Sequence, residues 1–227
     1  MKTIKWLLNL ENIKFLLRRI LLRFNISTIP HLDSEKSKGW FIQKIKDSKY
    51  YLEYGSGGST YIAAKHKVNF ISIESDWFFL KALIRKIKKD HLYNKNIQTY
   101  YHRSIGLTKE WSYPIDPLKI SEKKGMLYRK YSDPPPEFIL NNFTPDFIFI
   151  DGRFRVACTL KLLRLLNNKS SSWTIAIDDY VNRPYYHVIE KYAELNYCIG
   201  LIGIFTKRLA LPNDIDRDIC YYELIAD

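Results

Sequence analysis

The residues with most to offer chemically follow Leu52: Glu53, Tyr54, Gly55, Ser56, Gly57, Gly58, Ser59 and Thr60. An apolar run ends in an acid, glycines cluster, and a helical pattern begins at Ser59. That order describes a strand, a tight turn and a helix start. Glycine permits positive φ and lets a ligand approach the backbone closely. A helix start presents N–H groups and a partial positive charge. With Glu53 placed to read a hydroxyl or amino group, the stretch points to a nucleoside-type cofactor site. The alternative is a plain turn that needs glycine only for its geometry. Acids recur further along, each after an apolar run: Glu74 before Ser75, Asp151, and the pair Asp178-Asp179. His102 and Ser104 follow a further strand-like stretch, Ile97–Tyr101.

The elements that must position these groups alternate. Strands are expected at Tyr50–Tyr54, Asn69–Ile73, Ile97–His102, Asp146–Ile150 and Trp173–Ile177, with two more at Tyr197–Phe205 and Ile219–Ile225. Helices are expected at about Thr60–His66, Trp77–Lys89, after Gly152 to about Leu166, and Pro184–Leu195. This is an α/β fold, a Rossmann-like doubly wound sheet of seven mostly parallel strands. Runs such as Phe147-Ile148-Phe149-Ile150 suit burial on both faces. Ligands of such sheets collect at the carboxyl ends of the strands, where Glu53, Glu74, His102, Asp151 and Asp178-Asp179 fall. Residues 104–136, with Pro114, Pro117 and Pro134-Pro135-Pro136, show no clear period and suit a lid or substrate loop. Residues 1–47 are expected as an N-terminal helical extension to a domain at 48–227. Ser34 is the candidate N-cap of a helix reaching about Asp47.

The 227 residues are 46% hydrophobic and 26% charged, ordinary for one globular domain, but the net charge is +12. A basic surface favours nucleic acid, anionic lipid or an anionic substrate without choosing among them. Cys158, Cys198 and Cys220 are scattered, odd in number and form no C-x-x-C pair, which argues against a disulfide framework or a zinc site and fits a reducing, cytoplasmic setting. Residues 2–24 repeat apolar positions at helical intervals, with Lys2, Lys5, Lys14, Arg18, Arg19 and Arg23 against Glu11. No apolar run there is long enough to span a bilayer. The segment suits a helix covering the domain's flank, or a peripheral contact of residues 1–24 with the inner membrane surface through its cations and Trp6.

A dinucleotide site would want a third glycine where Thr60 stands, and a pyrophosphate would not welcome Glu53. An acid before the glycines suits a cofactor carrying an ammonium group. At this point Leu52–Thr60 resembles the first motif of class I S-adenosylmethionine-dependent methyltransferases. Glu74 resembles the acid that binds the ribose hydroxyls in that family. The resemblance covers roughly residues 48–227 and implies a seven-stranded sheet with an antiparallel last strand. It implies S-adenosyl-L-methionine as cofactor, held by Glu53, Tyr54, Gly55, Ser56, Gly57, Gly58, Ser59, Thr60, Glu74, Ser75 and Asp151. His102 and Ser104 stand where that family often has an acid near the adenine. Ser104-Ile105-Gly106, Trp111, Pro114 and Asp151–Cys158 are also similar to a bacterial group of methyltransferase-like proteins, several tied to surface-polysaccharide genes, which implies a glycan acceptor.

Asp151 and Asp178-Asp179 end neighbouring strands, so their carboxylates can converge. Three oxygen ligands with room for water suit Mg²⁺. The pattern resembles metal-dependent O-methyltransferases, which implies Asp151, Asp178 and Asp179 as ligands that hold two substrate oxygens and acidify one. Such enzymes often carry a Lys or His base three residues after the first acid. Here that residue is Phe154, so His187 is the substitute candidate beside Asp151. Arg153, Arg155 and Arg183 could bind an anionic sugar or phosphate. Loop capping and cofactor contact without metal is the other reading of the acids.

The expected function is therefore O-methylation of a sugar or other small hydroxylated acceptor, with Mg²⁺ assistance. One rival is RNA or DNA methylation, favoured by Lys81, Arg85, Lys86, Lys88 and Lys89 on one helix. Asp133-Pro134-Pro135-Pro136 is similar to the Asp-Pro-Pro-aromatic motif of amino-methylating DNA enzymes, but Pro136 has no aromatic ring to stack on a base and the motif precedes its strand. The other rival is a non-catalytic cofactor-binding module at a membrane surface.

Overall fold

In a computed structural model, the structure describes residues 26–108, 112–114, 120–140, 142–167 and 169–226, together with Ile13 and Leu17. The expected helix at 2–24, apart from those two residues, and the markers Trp111 and Pro117 lie outside this set.

The chain runs α1 (Glu35–Asp47), β1 (Tyr50–Tyr54), α2 (Gly58–Lys65), β2 (Asn69–Glu74), α3 (Trp77–Lys89), β3 (Gln98–His102), α4 (Glu122–Ser132), α5 (Pro136–Ile139), β4 (Phe147–Ile150), α6 (Arg155–Leu166), β5 (Thr174–Ile177), a 3-10 helix (Pro184–Lys191), β6 (Glu194–Ile199), β7 (Ile202–Thr206) and α7 (Ile215–Tyr222). The seven strands form one sheet in the order β3-β2-β1-β4-β5-β7-β6. The first five pair in parallel, and β7 is antiparallel to both β5 and β6.

Strand alternation sorts the core into two layers. Leu52, Tyr54, Ile71, Ile73, Ile148, Ile150, Ile175 and Ile177 belong to one apolar cluster, with Tyr128 and Tyr131 of α4 and the apolar face of α6. Tyr51, Phe70, Phe147, Phe149 and Ala176 belong to the other, with Phe41 and Ile45 of α1 and Leu83 and Ile87 of α3. Helix α1 starts as its sequence demands: the Ser34 side chain accepts from the Ser37 N–H at 3.2 Å. Its Phe41 ring lies 4.7 Å from that of Phe149, so this N-terminal helix is built into the sheet's cover.

Three expectations need correction. Tyr197–Phe205 is not one strand but the hairpin of β6 and β7, folded at Gly200, whose φ of +55° is the left-handed turn that glycine tolerates. Ile219–Ile225 is not a strand: Ile219 is a buried position of α7 and packs against the same core as α6. The expected helix at 184–195 stops at Lys191, and Glu194-Leu195 opens β6. Residues 104–136 also hold more structure than their lack of period suggested. The buried positions of α4 are Gly125, Tyr128, Tyr131 and Ser132, a face of small residues and tyrosines rather than aliphatics.

The N-terminal segment crosses the glycine turn. A Cβ on Gly58 would run into the carbonyl of Ile29, so residues 29–30 lie directly on the start of α2. Among the described residues no helix is long and apolar enough to cross a membrane. Cys158 is buried, Cys198 and Cys220 are exposed, and no disulfide joins them.

Phe41 is fully enclosed. Phe41→Ala is expected to cost about 3–5 kcal/mol of unfolding free energy in urea titration. A loss under about 1 kcal/mol, within the range of surface changes, would show α1 to be a loosely attached extension.

Candidate functional site

The parallel register brings the ends of five strands level. Glu74 lies opposite His102, Tyr54 opposite both Ile73 and Ile150, and Ile150 opposite Ile177. The ladder continues one residue past the strands, with Gly55 N donating to Ile73 O at 2.8 Å, Asp151 N to Tyr54 O at 2.9 Å and Asp178 N to Ile150 O at 3.1 Å. With neighbouring strands about 5 Å apart, Glu74 and Asp151 flank the glycine turn at about 10 Å from one another. The expected groups are thus gathered on one edge.

Each glycine of the turn has its own reason. Gly55 sits at φ +96°, and a Cβ there would lie 2.7 Å from the Asp151 carbonyl carbon and the Gly152 nitrogen. This close contact of backbones lets β1 and β4 end side by side. Gly58 clears the crossing segment. Gly57 has nothing within 4 Å of a Cβ position, so the turn is open at this point.

Glu53 does not face that opening. It is fully buried, and it accepts from Tyr51 Oη at 2.8 Å, from Ser59 Oγ at 2.6 Å and from Thr60 Oγ1. Burial raises its pKa while the hydroxyls of Ser59, Thr60 and Tyr51 pull it back. The expectation that Glu53 meets a cofactor's ammonium group is therefore corrected: Glu53 is a post beneath the turn. Ser59 and Thr60 are corrected with it, since their hydroxyls point down to that carboxylate. Tyr54 is corrected too, because its ring is buried in the core and its hydroxyl donates to Asp133 O at 2.8 Å.

Glu74 is the acid that supports the turn from the side. Its Oε2 accepts from Ser56 N at 3.0 Å, and its Oε1 accepts from Ser75 N, Ser75 Oγ and Asp76 N at 2.7, 3.1 and 2.8 Å. A carboxylate oxygen has two lone pairs, so Oε2 retains capacity for a second donor. Burial raises Glu74 to about 7, against the backbone N–H groups of Asp76 and Ser56. Beside it His102 is exposed, with Nε2 3.1 Å from Ser75 O and its ring 5.3 Å from that of Trp77. Trp77 is half exposed, with Lys81 Nζ 4.5 Å from its ring centre. Trp77 was missed in the sequence. Its signal was a large ring three residues after an acid at a strand end. Ser104 is engaged locally, accepting from Gly106 N at 3.2 Å.

The three aspartates do converge, but on a guanidinium. Arg155, the first residue of α6, is 4% exposed. Its Nη2 donates to Asp151 Oδ1 at 2.9 Å, Nη1 lies 3.3 Å from Asp179 Oδ2 and 3.9 Å from Asp178 Oδ2, and Nε and Nη1 donate to the carbonyls of Gly152 and Asp178. Arg183 Nη2 reaches Asp179 Oδ2 from outside at 3.4 Å, and half-buried Arg153 stands near Asp151. Burial and the neighbouring Asp151 charge push Asp178 up to about 8. Burial also raises Asp151, against Arg155.

The donor set does not fit Mg²⁺. A hard ion wants open carboxylate oxygens and several waters, and here a buried cation already takes those oxygens. Among the described residues no group of three or more His, Cys, Asp or Glu side chains is arranged to hold a metal. Arg155 is likewise corrected as a substrate-binding residue, because its guanidinium is turned inward. Phe154, at the position of the missing base, is fully buried at φ +55° and packed against Tyr128 at 4.5 Å. His187, on the 3-10 helix, is exposed, and its ring is tilted against that of Tyr180 at 4.9 Å. Asp133-Pro134 is a clamped turn, whose carbonyls accept from Arg103.

Replacing Glu53 by Gln puts an N–H₂ group among three hydroxyl donors. Glu53→Gln is expected to lower unfolding free energy by about 1–3 kcal/mol, read by thermal or urea denaturation. Unchanged stability would return Glu53 to a role at the open surface.

No protein-family model matches the sequence, and no curated protein matches it. Among solved structures, a methyltransferase-like protein from Silicibacter pomeroyi superposes with a TM-score of 0.70 at 23% identity, over 88% of this chain and 100% of that one. An S-adenosylhomocysteine-bound methyltransferase from Podospora anserina reaches 0.48 at 13% identity, over 86% and 87%. An RNA methyltransferase from Salinibacter ruber, in complex with S-adenosyl-L-homocysteine, reaches 0.44 at 12%, over 83% and 99%. The first of these likenesses carries the fold, and the other two are too distant to carry more. The chain has a Rossmann-like fold, a seven-stranded mixed sheet that it shares with this methyltransferase-like protein.

Proposed function

We propose that this chain is an S-adenosyl-L-methionine-dependent methyltransferase that acts on a hydroxyl of a sugar or other small hydroxylated acceptor. The observation that carries the reading is the pairing of an open glycine turn with Glu74, bonded to that turn through Ser56 N and left with capacity on Oε2. A ribose diol would donate to Oε2, and the aminoacyl tail would lie over Gly57. The adenine would rest against the ledge of Trp77 and His102.

Bound S-adenosyl-L-methionine would supply an activated methyl group for in-line transfer to the acceptor oxygen, with S-adenosylhomocysteine, a neutral thioether, as the other product. The hydroxyl proton goes to a carboxylate, for which Asp151 is best placed: its side chain is 32% exposed, against 11% for Asp178. Alignment supplies most of the acceleration, since the methyl group is already activated. Arg153 and Arg183 suit an acceptor carrying a negative charge. Mg²⁺ is not part of this mechanism. A cytoplasmic setting, with residues 1–24 at the inner membrane face, would suit a surface-polysaccharide precursor. Nucleic-acid methylation is the weaker alternative. Lys86 of α3 is paired with Asp90 at 2.7 Å, and Lys88 lies over the Tyr93 ring at 4.5 Å.

Gly57→Ala separates the cofactor from the fold. The new methyl group meets no protein atom, so stability is expected to hold within about 0.5 kcal/mol. Affinity for S-adenosylmethionine by calorimetry is expected to fall at least about tenfold, a loss of about 1.4 kcal/mol. Unchanged affinity would remove the glycine turn from the binding site.

The reading also fixes a pH dependence. Glu74 ionises in the folded chain near 7, against an ordinary 4.5. Ionisation thus costs stability: the protonated form's contribution is present at low pH and is lost as pH rises to about 7. Cofactor affinity runs the other way, because the charged carboxylate is the better acceptor for a diol. It is expected to rise as pH climbs through 7, and Glu74→Gln should flatten that profile in calorimetry.

A further inference from the structure

The cluster of Asp151, Asp178 and Asp179 has the acids of a divalent-cation site and a different occupant. Arg155 takes part in it through all three nitrogens of its guanidinium. Its two backbone acceptors, Gly152 O at 3.1 Å and Asp178 O, do not depend on the carboxylates. They fix the plane of the group. Asp151 and Asp179 then meet it from two sides at 2.9 and 3.3 Å, and Asp178 lies further off at 3.9 Å. The local backbone reinforces the arrangement. Phe154, immediately before Arg155, is held at φ +55° by the α4 tyrosines, and Asp179 is itself at φ +59°. The left-handed conformation is disfavoured for Phe154 and tolerated by an aspartate, and together the two bends aim the side chains of a helix start and a strand end at one point.

We infer that Arg155 is a built-in counter-ion standing where a metal-dependent enzyme would hold its divalent cation, so that this site is closed to metal and works without one. For an external ion to reach all three acids, the guanidinium would have to leave two carbonyls and become a buried charge without partners. Removing one partner of a buried pair is among the costliest changes a protein can undergo. A guanidinium is always charged, planar and weakly hydrated, which suits it to a fixed place among carboxylates. It supplies positive potential next to Asp151 without ligand exchange and without dependence on metal supply. Arg155 is thus a positioning residue. It holds Asp151 facing the cleft and limits the repulsion among three crowded acids. The inference rests on the methyl-transfer reading only for where the acceptor lies, and the metal-binding properties stand apart from turnover.

The test uses Mn²⁺ as the probe, followed by the loss of the free-ion signal in electron paramagnetic resonance. The full chain, cleared with EDTA, is expected to take up no Mn²⁺ up to about 1 mM, the weak end of protein sites for hard divalent ions. Arg155→Met removes the buried cation and leaves the three acids with only the outer Arg153 and Arg183, and it is expected to gain one Mn²⁺ site that Asp179→Asn then removes. Uptake of Mn²⁺ by the unaltered protein, abolished by Asp179→Asn, would overturn the inference. So would a folded Arg155→Met variant that takes up none. If Arg155→Met does not fold, the unaltered protein decides alone. S-adenosylmethionine binding, titrated separately by calorimetry, tells a failure of the metal-free site from a failure of the methyltransferase reading.

Discussion

The site depends on backbone meeting backbone at the carboxyl edge of the sheet. At Gly55 the chain leaves β1 with a positive φ and lies against the Asp151-Gly152 peptide with no room for a side chain. That contact keeps β1 and β4 level at their ends. It places the glycine turn between two acids on either side, and it sets Asp151 against β5 and its aspartates. Glu53 supports the turn from below and Glu74 from the side. The two acids sit on adjacent strands with different roles, one fully enclosed among hydroxyls and the other buried beside the turn among backbone N–H groups. An acid that props a loop and an acid that can read a ligand look the same in a sequence. Burial and the identity of the donors separate them.

Charge is organised along the same edge. On the β2 side an acid is paired with N–H groups and flanked by two rings, a surface that accepts hydroxyls and a flat base. On the β4–β5 side acids and arginines alternate, and the cluster is internally compensated. Helix α4 covers the middle, with Tyr128 and Tyr131 packed on Phe154 and its following turn tied by Arg103 to the end of β3. A polar reaction needs such a frame: groups that bind are fixed before the ligand arrives, so little reorganisation is left for the reaction itself.

The parallel half of the sheet was legible in the sequence because four of its five strands end at or beside acids, with helices of clear period between them. The antiparallel half was not. Tyr197–Phe205 alternates well enough to read as one strand, and the turn at Gly200-Leu201 carries only one glycine as its mark. Ile219–Ile225 places apolar residues where either a strand or the buried face of a helix would have them. In the site, the positions of Glu74, Asp151, Asp178 and Asp179 followed from spacing alone. The directions of Glu53, Ser59, Thr60 and Arg155 did not, because a side chain's direction is set by register and by its neighbours across the sheet. Arg155 read as a candidate for binding an anionic substrate, since nothing local shows that two carbonyls and three acids will enclose it.

The central claim is that a sulfonium nucleoside lies across the glycine turn between Glu74 and Asp151. A crystal structure of the full chain soaked with S-adenosylhomocysteine tests it most directly. The account expects the ribose hydroxyls on Glu74 Oε2, the aminoacyl tail over Gly57 and the adenine against Trp77 and His102. Density for the nucleoside elsewhere, or a cleft still closed by protein atoms at saturating ligand, would contradict it.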